Sequence, residues 1–339
     1  MNSLERVRTV LAGGLPDRVP VDLHDFMMAG RASGIPFPEL FRDGGAMAAA
    51  QLDAWHEFGH DVLLVENGTA ALAEACGAEV EYSLESAPVV VGPRASLDDL
   101  RVPDPHRDAP LPELLKATRL IAEEVGDRAC VIGRADQGPF SLATMLMGMV
   151  EFLTAVGEGD RQQELDRLLE FALETVHRYA VAQMEQGAHL TSIGESIAGP
   201  DVLSPADYRR YAWPYEQRLV ARLRADGIPL SLHICGDATR IVGDMVETGA
   251  AVLELDYKVD LARVKEATRG RATILGPVDP SGVLALGTPA GVESAAREAL
   301  EALAPGGGLI LGPGCALPPE TPAENVHALV QAAHEFGRY

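Results

Sequence analysis

The chain has 339 residues, with 28 Lys and Arg against 50 Asp and Glu, a net charge of −22 at neutral pH. So acidic a surface repels phosphate backbones, which argues against nucleic acid as a partner. Hydrophobic residues make up 47%, enough for a large core, yet no apolar run nears the ~20 residues needed to cross a bilayer, and four cysteines are too few for a disulfide scaffold. The first residues, MNSLERVRTVLAGG, mix charges among apolar positions and lack a signal-peptide core, so a cytoplasmic protein without a membrane partner is expected. From there strand-like and helix-like runs alternate. Short runs rich in Val, Ile and Leu at 19–23, 61–66, 129–135, 189–195, 229–235, 251–256, 272–278 and 309–312 suit parallel strands covered on both faces. Stretches at 51–58, 111–125, 162–186, 208–225 and 290–303 read as helices, and Ser204-Pro205 and Thr288-Pro289 read as helix starts. Residues 78–91 (AEVEYSLESAPVVV) break the alternation and read as an inserted β-hairpin. Eight strands alternating with helices predict an α/β fold, a (β/α)8 TIM barrel forming a single domain over 1–339, with an open doubly wound sheet as the alternative.

Active sites of such barrels lie where the strands end. In chain order, that nominates His24 after the first strand and Glu66 at the end of the second. Asp136 follows the third strand and Glu195 ends the fourth. The sharpest pattern is Ser231-Leu232-His233-Ile234-Cys235-Gly236. Side chains two apart on a strand share a face, so His233 and Cys235 reach one point, and imidazole and thiolate are good zinc ligands. A buried His and Cys with no metal is the competing reading of that pair alone. Cys315 raises the case for a metal, because it follows a strand into the turn Gly312-Pro313-Gly314 at the same barrel end. Cys76 and Cys130 fall in a helix-like run and at a strand start, where packing is the natural role.

Seven segments carry a resemblance to the uroporphyrinogen decarboxylase superfamily: LERVRTVLAGGLPDRVPV (4–21), GPFSLATMLMG (138–148), LSPADYRRYAWPYEQ (203–217), LHICGDAT (232–239), LDYKVDL (255–261), LGPVDPSGVL (275–284) and LGPGCALPPETPAENV (311–326). Within it the chain resembles the branch of corrinoid-linked methyltransferases, of methylcobalamin:coenzyme M type. That branch pairs a His-x-Cys strand with a late cysteine. The decarboxylases instead carry a histidine where Pro313 stands here. They also grip substrate carboxylates with two arginines, where this chain reads Met27-Met28-Ala29-Gly30-Arg31 and keeps only Arg31, a candidate for holding a smaller anionic substrate. The metal order is also similar to cobalamin-independent methionine synthase, which implies Asp256, at the end of the sixth strand, as a fourth ligand; Glu254 is the less favoured substitute.

The resemblance implies Zn2+ held by His233, Cys235, Cys315 and Asp256. It leaves Arg31 as a substrate contact, while strand-end position suggests substrate contacts from His24 and Asp136 and catalytic or ligand-orienting roles for Glu195 and Glu66. It also implies methylcobalamin carried by a separate corrinoid protein, since the chain has no Asp-x-His-x-x-Gly motif of its own. The other substrate is then a small-molecule thiol or a methylated compound, and a homodimer is expected by analogy with the decarboxylases. Two other readings remain at this stage: a decarboxylase-like lyase without a metal, and a non-catalytic zinc or substrate-binding barrel.

Overall fold

The computed structural model describes residues 1–339. Its strands are β1 (Val62–Val65), β2 (Glu79–Glu81), β3 (Val89–Gly92), β4 (Cys130–Gln137), β5 (Leu190–Gly194), β6 (Leu230–Ile234), β7 (Val252–Leu255), β8 (Thr273–Val278) and β9 (Leu309–Pro313). All but β2 and β3 form one sheet of seven strands in the order β1-β4-β5-β6-β7-β8-β9, each pair parallel. Helices fill the connections, as parallel pairing requires. The result is the curled sheet of a TIM-like barrel. Ser204 and Thr288 cap helix starts as their sequence predicts, accepting hydrogen bonds from Asp207 N and Gly291 N.

The run at 19–23 forms isolated bridges rather than a full strand. Val21 bridges Leu311 and Asp22 bridges Val62, both in parallel, so this segment lies between the two edge strands. Pro20 brings no N–H to a ladder, and His24, at φ 47°, leaves the extended region. Apart from the main sheet, β2 and β3 pair antiparallel, with Glu81 opposite Val89 and a register shift between Glu79 and Val80.

Alternation along each strand sends residues to two cores. Leu232, Ile234, Leu253 and Leu255 face the surrounding helices in the main apolar core. Around the strand starts, Val62, Leu64, Cys130, Ile132, Leu190, Val252, Leu275 and Ile310 form a second apolar cluster inside the barrel. Leu4, Val7 and Val10, three residues apart on helix Ser3–Leu11, join it and plug that end. Asn2 and Glu5 start the plug helix with a reciprocal capping box. No single helix is long and apolar enough to cross a membrane.

Candidate metal centre

At the opposite end, where the strands finish, the barrel interior turns polar. His233, next to last in β6, points inward and is buried. Cys235 follows the strand, and Gly236, at φ 82°, turns the chain where a Cβ would collide with Asp201. Cys315 arrives from β9. Gly314 permits this, since a Cβ there would lie 2.8 Å from Tyr257 N and 2.9 Å from Asp256 Cα. One nitrogen or sulfur from each of His233, Cys235 and Cys315 lies within 4.8 Å of the others.

The ring orientation is fixed by its neighbours. His233 Nδ1 donates to the Glu254 carbonyl at 3.1 Å, which turns Nε2 toward Cys235 Sγ, also at 3.1 Å. Burial favours the neutral ring, but Glu254 and Cys235 outweigh it and raise His233 to about 9, so Nε2 carries a proton that a metal would displace. A hydrogen bond from the Cys315 thiol, aided by the His233 charge, holds Cys235 well below the ordinary thiol range despite burial. The same bond, together with burial, pushes Cys315 well up. One proton therefore leaves this pair readily. Cys76 and Cys130 differ: burial raises both to about 12, so they remain packed thiols. Two sulfurs and one imidazole at close range make a donor set that fits zinc.

Below the three ligating groups lies a network of buried charge. The His24 ring sits between two carboxylates, with Nδ1 3.0 Å from Glu254 Oε1 and Nε2 3.0 Å from Glu66 Oε2. Burial favours the neutral ring, but Glu66 and Glu254 outweigh it and raise His24 to about 10, so it is an imidazolium at neutral pH. Arg134, from β4, backs both acids at 3.4 Å from Glu66 and 3.7 Å from Glu254, and donates to Ser192 Oγ at 2.8 Å. Burial opposes ionisation of Glu254, yet His233, His24 and Arg134 hold its carboxyl well below the usual range.

The remaining nominated residues are held elsewhere. Glu195 accepts from Phe140 N and Ser141 N at 3.0 and 2.8 Å, anchoring the start of helix Pro139–Met147. Asp136, at φ 64°, accepts from Leu72 N at 2.5 Å, and burial raises its carboxyl to about 7. Asp256 is outside the ligating cluster: its oxygens accept from Gly236 N at 2.9 Å and Lys258 N at 3.3 Å, bracing the turn after Cys235. Arg31 lies half-exposed and pairs with Glu85 and Glu320, each at 3.1 Å. Strand-end position alone does not single out Arg134, and it favours Asp256 over Glu254. The sequence does hold a signal for Arg134, a lone cation inside the inward-facing strand CVIGRADQ.

By identity, methyltransferases and decarboxylases resemble this chain about equally. The family model for uroporphyrinogen decarboxylase (URO-D) matches residues 2–336. The chain is 29% identical to a methylcobamide:CoM methyltransferase (MtaA) of Methanosarcina barkeri over 309 residues, 89% of this chain and 88% of that protein. It is 32% identical to a uroporphyrinogen decarboxylase of Syntrophotalea carbinolica over 317 residues, 89% of this chain and 87% of that protein. Among solved structures, a methyltransferase from Methanosarcina mazei superimposes with a TM-score of 0.91 at 28% identity, covering 99% of both chains. Taken with a match along nearly its whole length, this chain belongs to the uroporphyrinogen decarboxylase family.

Proposed function

We propose that this chain is a corrinoid-linked methyltransferase, moving a methyl group between a corrinoid of the methylcobalamin type and a small-molecule thiol or methylated compound. His233, Cys235 and Cys315 are the residues that would hold a zinc ion. The observation that carries this reading is the approach of those three ligating groups to within 4.8 Å at the barrel mouth. The methylcobamide:CoM methyltransferases among its relatives support the same chemistry. The decarboxylase relatives match as well by identity, so the choice rests on the site. Met27 cannot make a charge-assisted bond, and Arg31 is already paired with Glu85 and Glu320. A substrate bearing many carboxylates finds little to hold it there.

In this reading, His233 presents Nε2 because its other nitrogen is committed to the Glu254 carbonyl. Cys235 and Cys315 bring sulfurs whose negative charge keeps a neighbouring substrate sulfur electron-rich. A zinc ion held by these residues would supply Lewis acidity, favouring the thiolate form of a substrate thiol whose free pKa is ~8.5. The apolar plug seals the barrel from below, so substrate and corrinoid approach from the mouth. A partner protein brings the corrinoid. Glu195 anchors the helix beside the mouth, and Glu66 supports His24. We further take Val21–Asp22 as the eighth strand position closing the barrel, β2 and β3 as an insertion, and the whole chain as one domain.

The test is metal content of protein purified without added metal, followed by methylcobalamin demethylation with a panel of thiols, read by the corrinoid absorbance change. About one zinc per chain and thiol-dependent demethylation are expected. Activity on carboxylated substrates without any metal, retained in Cys315→Ser, would replace this reading with the lyase.

A further inference from the structure

His24, Glu66, Arg134 and Glu254 are each at most 4% exposed. Burying four ionisable groups is costly, and apolar side chains would fill a barrel interior more cheaply. His24 also takes a left-handed backbone at φ 47°, an uncommon conformation for a residue with a Cβ. Gly194 leaves room for Arg134, since a Cβ there would lie 2.6 Å from Nη2. Such a costly arrangement needs a reason beyond packing, and the hydrogen bonds supply one. Glu254 is the link between this network and the ligating groups. Its carbonyl accepts the His233 Nδ1 proton at 3.1 Å, and its Oε1 lies 3.7 Å from the same nitrogen. His24 holds that same Oε1 at 3.0 Å.

We propose that His24 is a positioning residue for the metal centre: by clamping the Glu254 carboxylate it fixes the residue that orients His233 toward the metal. This rests on the metal reading above. The chain of contact runs Glu66, His24, Glu254, His233, with Arg134 braced against both acids. His24 touches neither metal nor substrate in this role. Ligand-orienting partners of this kind typically change metal affinity ~10–100-fold when removed.

The experiment compares wild type, His24→Gln and Glu66→Gln, each stripped and reloaded. Zn2+ affinity is measured by chelator competition, Co2+ serves as a spectroscopic probe through its d–d bands, and the thermal transition of the metal-free protein controls for folding. His24→Gln is expected to lose ~10–100-fold in Zn2+ affinity and to shift the Co2+ bands. Glu66→Gln, one contact further from the metal, should move both in the same direction by less, and it carries the test should the His24 variant not fold. A folded His24→Gln with wild-type affinity and bands overturns this inference alone, even if its metal-free form melts earlier, for that is what a purely structural role gives. A wild-type protein that takes up neither ion overturns the metal reading and this inference together.

Discussion

The two ends of the barrel interior are built from the same strands and obey opposite rules. At the strand starts, Leu64, Ile132, Leu275 and Ile310 pack against a plug of Leu4, Val7 and Val10. At the strand ends the inward positions are Glu66, Arg134, His233 and Glu254, all buried. Two residues of travel along β4, from Ile132 to Arg134, cross from one regime to the other. Apolar burial stabilises the first end by removing surface from water. The second end is held by compensating charges whose net contribution to stability is small or adverse. One end therefore supports the fold, and the other is kept for chemistry that the fold must sustain.

That division is broken most strongly by the ligands themselves. Cys315→Ser and His233→Ala should each lose bound metal beyond the ~10–100-fold of outer contacts, and methyl transfer with it, while the urea midpoint of the metal-free protein moves little. Metal retained in both variants would mean the three groups are packing residues. The converse change is Leu275→Ala in the lower layer. It should cost ~2–5 kcal/mol in urea unfolding by leaving a cavity, yet the folded fraction should bind one metal per chain with wild-type affinity. If metal affinity falls with stability, the two ends are coupled and the division fails.

The sequence reveals these two ends unequally. Seven of the eight predicted strands form the sheet because their apolar runs are short, continuous and bounded, which is a local property. The eighth, at 19–23, has the same composition but contains Pro20 and runs into His24, and only its pairing partners show that it bridges β9 and β1. The convergence of His233, Cys235 and Cys315 is legible because all three follow strands to the same barrel end. The pairing of Arg134 with Glu254 is not, since nothing local says that a charge on β4 meets one on β7. Asp256 and Glu195 look like site acids by position, but their oxygens are spent on backbone N–H groups that only the folded chain brings to them.

Asp22 stands at the boundary between the ends and sharpens it. It is fully buried, neither carboxylate oxygen has a hydrogen-bond partner, and burial raises it to about 7, with Glu254 and Asp25 adding to the shift and His24 opposing it. The folded chain thus keeps a proton that the unfolded chain releases near 3.8. The stability from this group is present in full below pH ~4 and is lost as pH rises toward ~7. Asp22→Asn should flatten that decline and leave the variant more stable than wild type above pH 7, by on the order of 1–3 kcal/mol. An unchanged pH profile of unfolding would show that the boundary position is hydrated and belongs to the polar end.

The smallest effect concerns charge outside the barrel. Arg31 pairs with Glu85 and Glu320, whose side chains are 81% and 68% exposed, so water screens both contacts. Arg31→Ala should cost under ~1 kcal/mol, and less at high salt, because exposed ion pairs repay little of the entropy of holding long side chains in place. Metal affinity should not change, since no hydrogen bond links Arg31 to the His24 network. The informative quantity is the Michaelis constant for an anionic thiol against a neutral one. A selective rise for the anionic substrate would make Arg31 a substrate contact that exchanges its glutamates for the ligand. Equal values for both thiols would leave it a rim residue, and would confine the charges that matter to those the barrel buries.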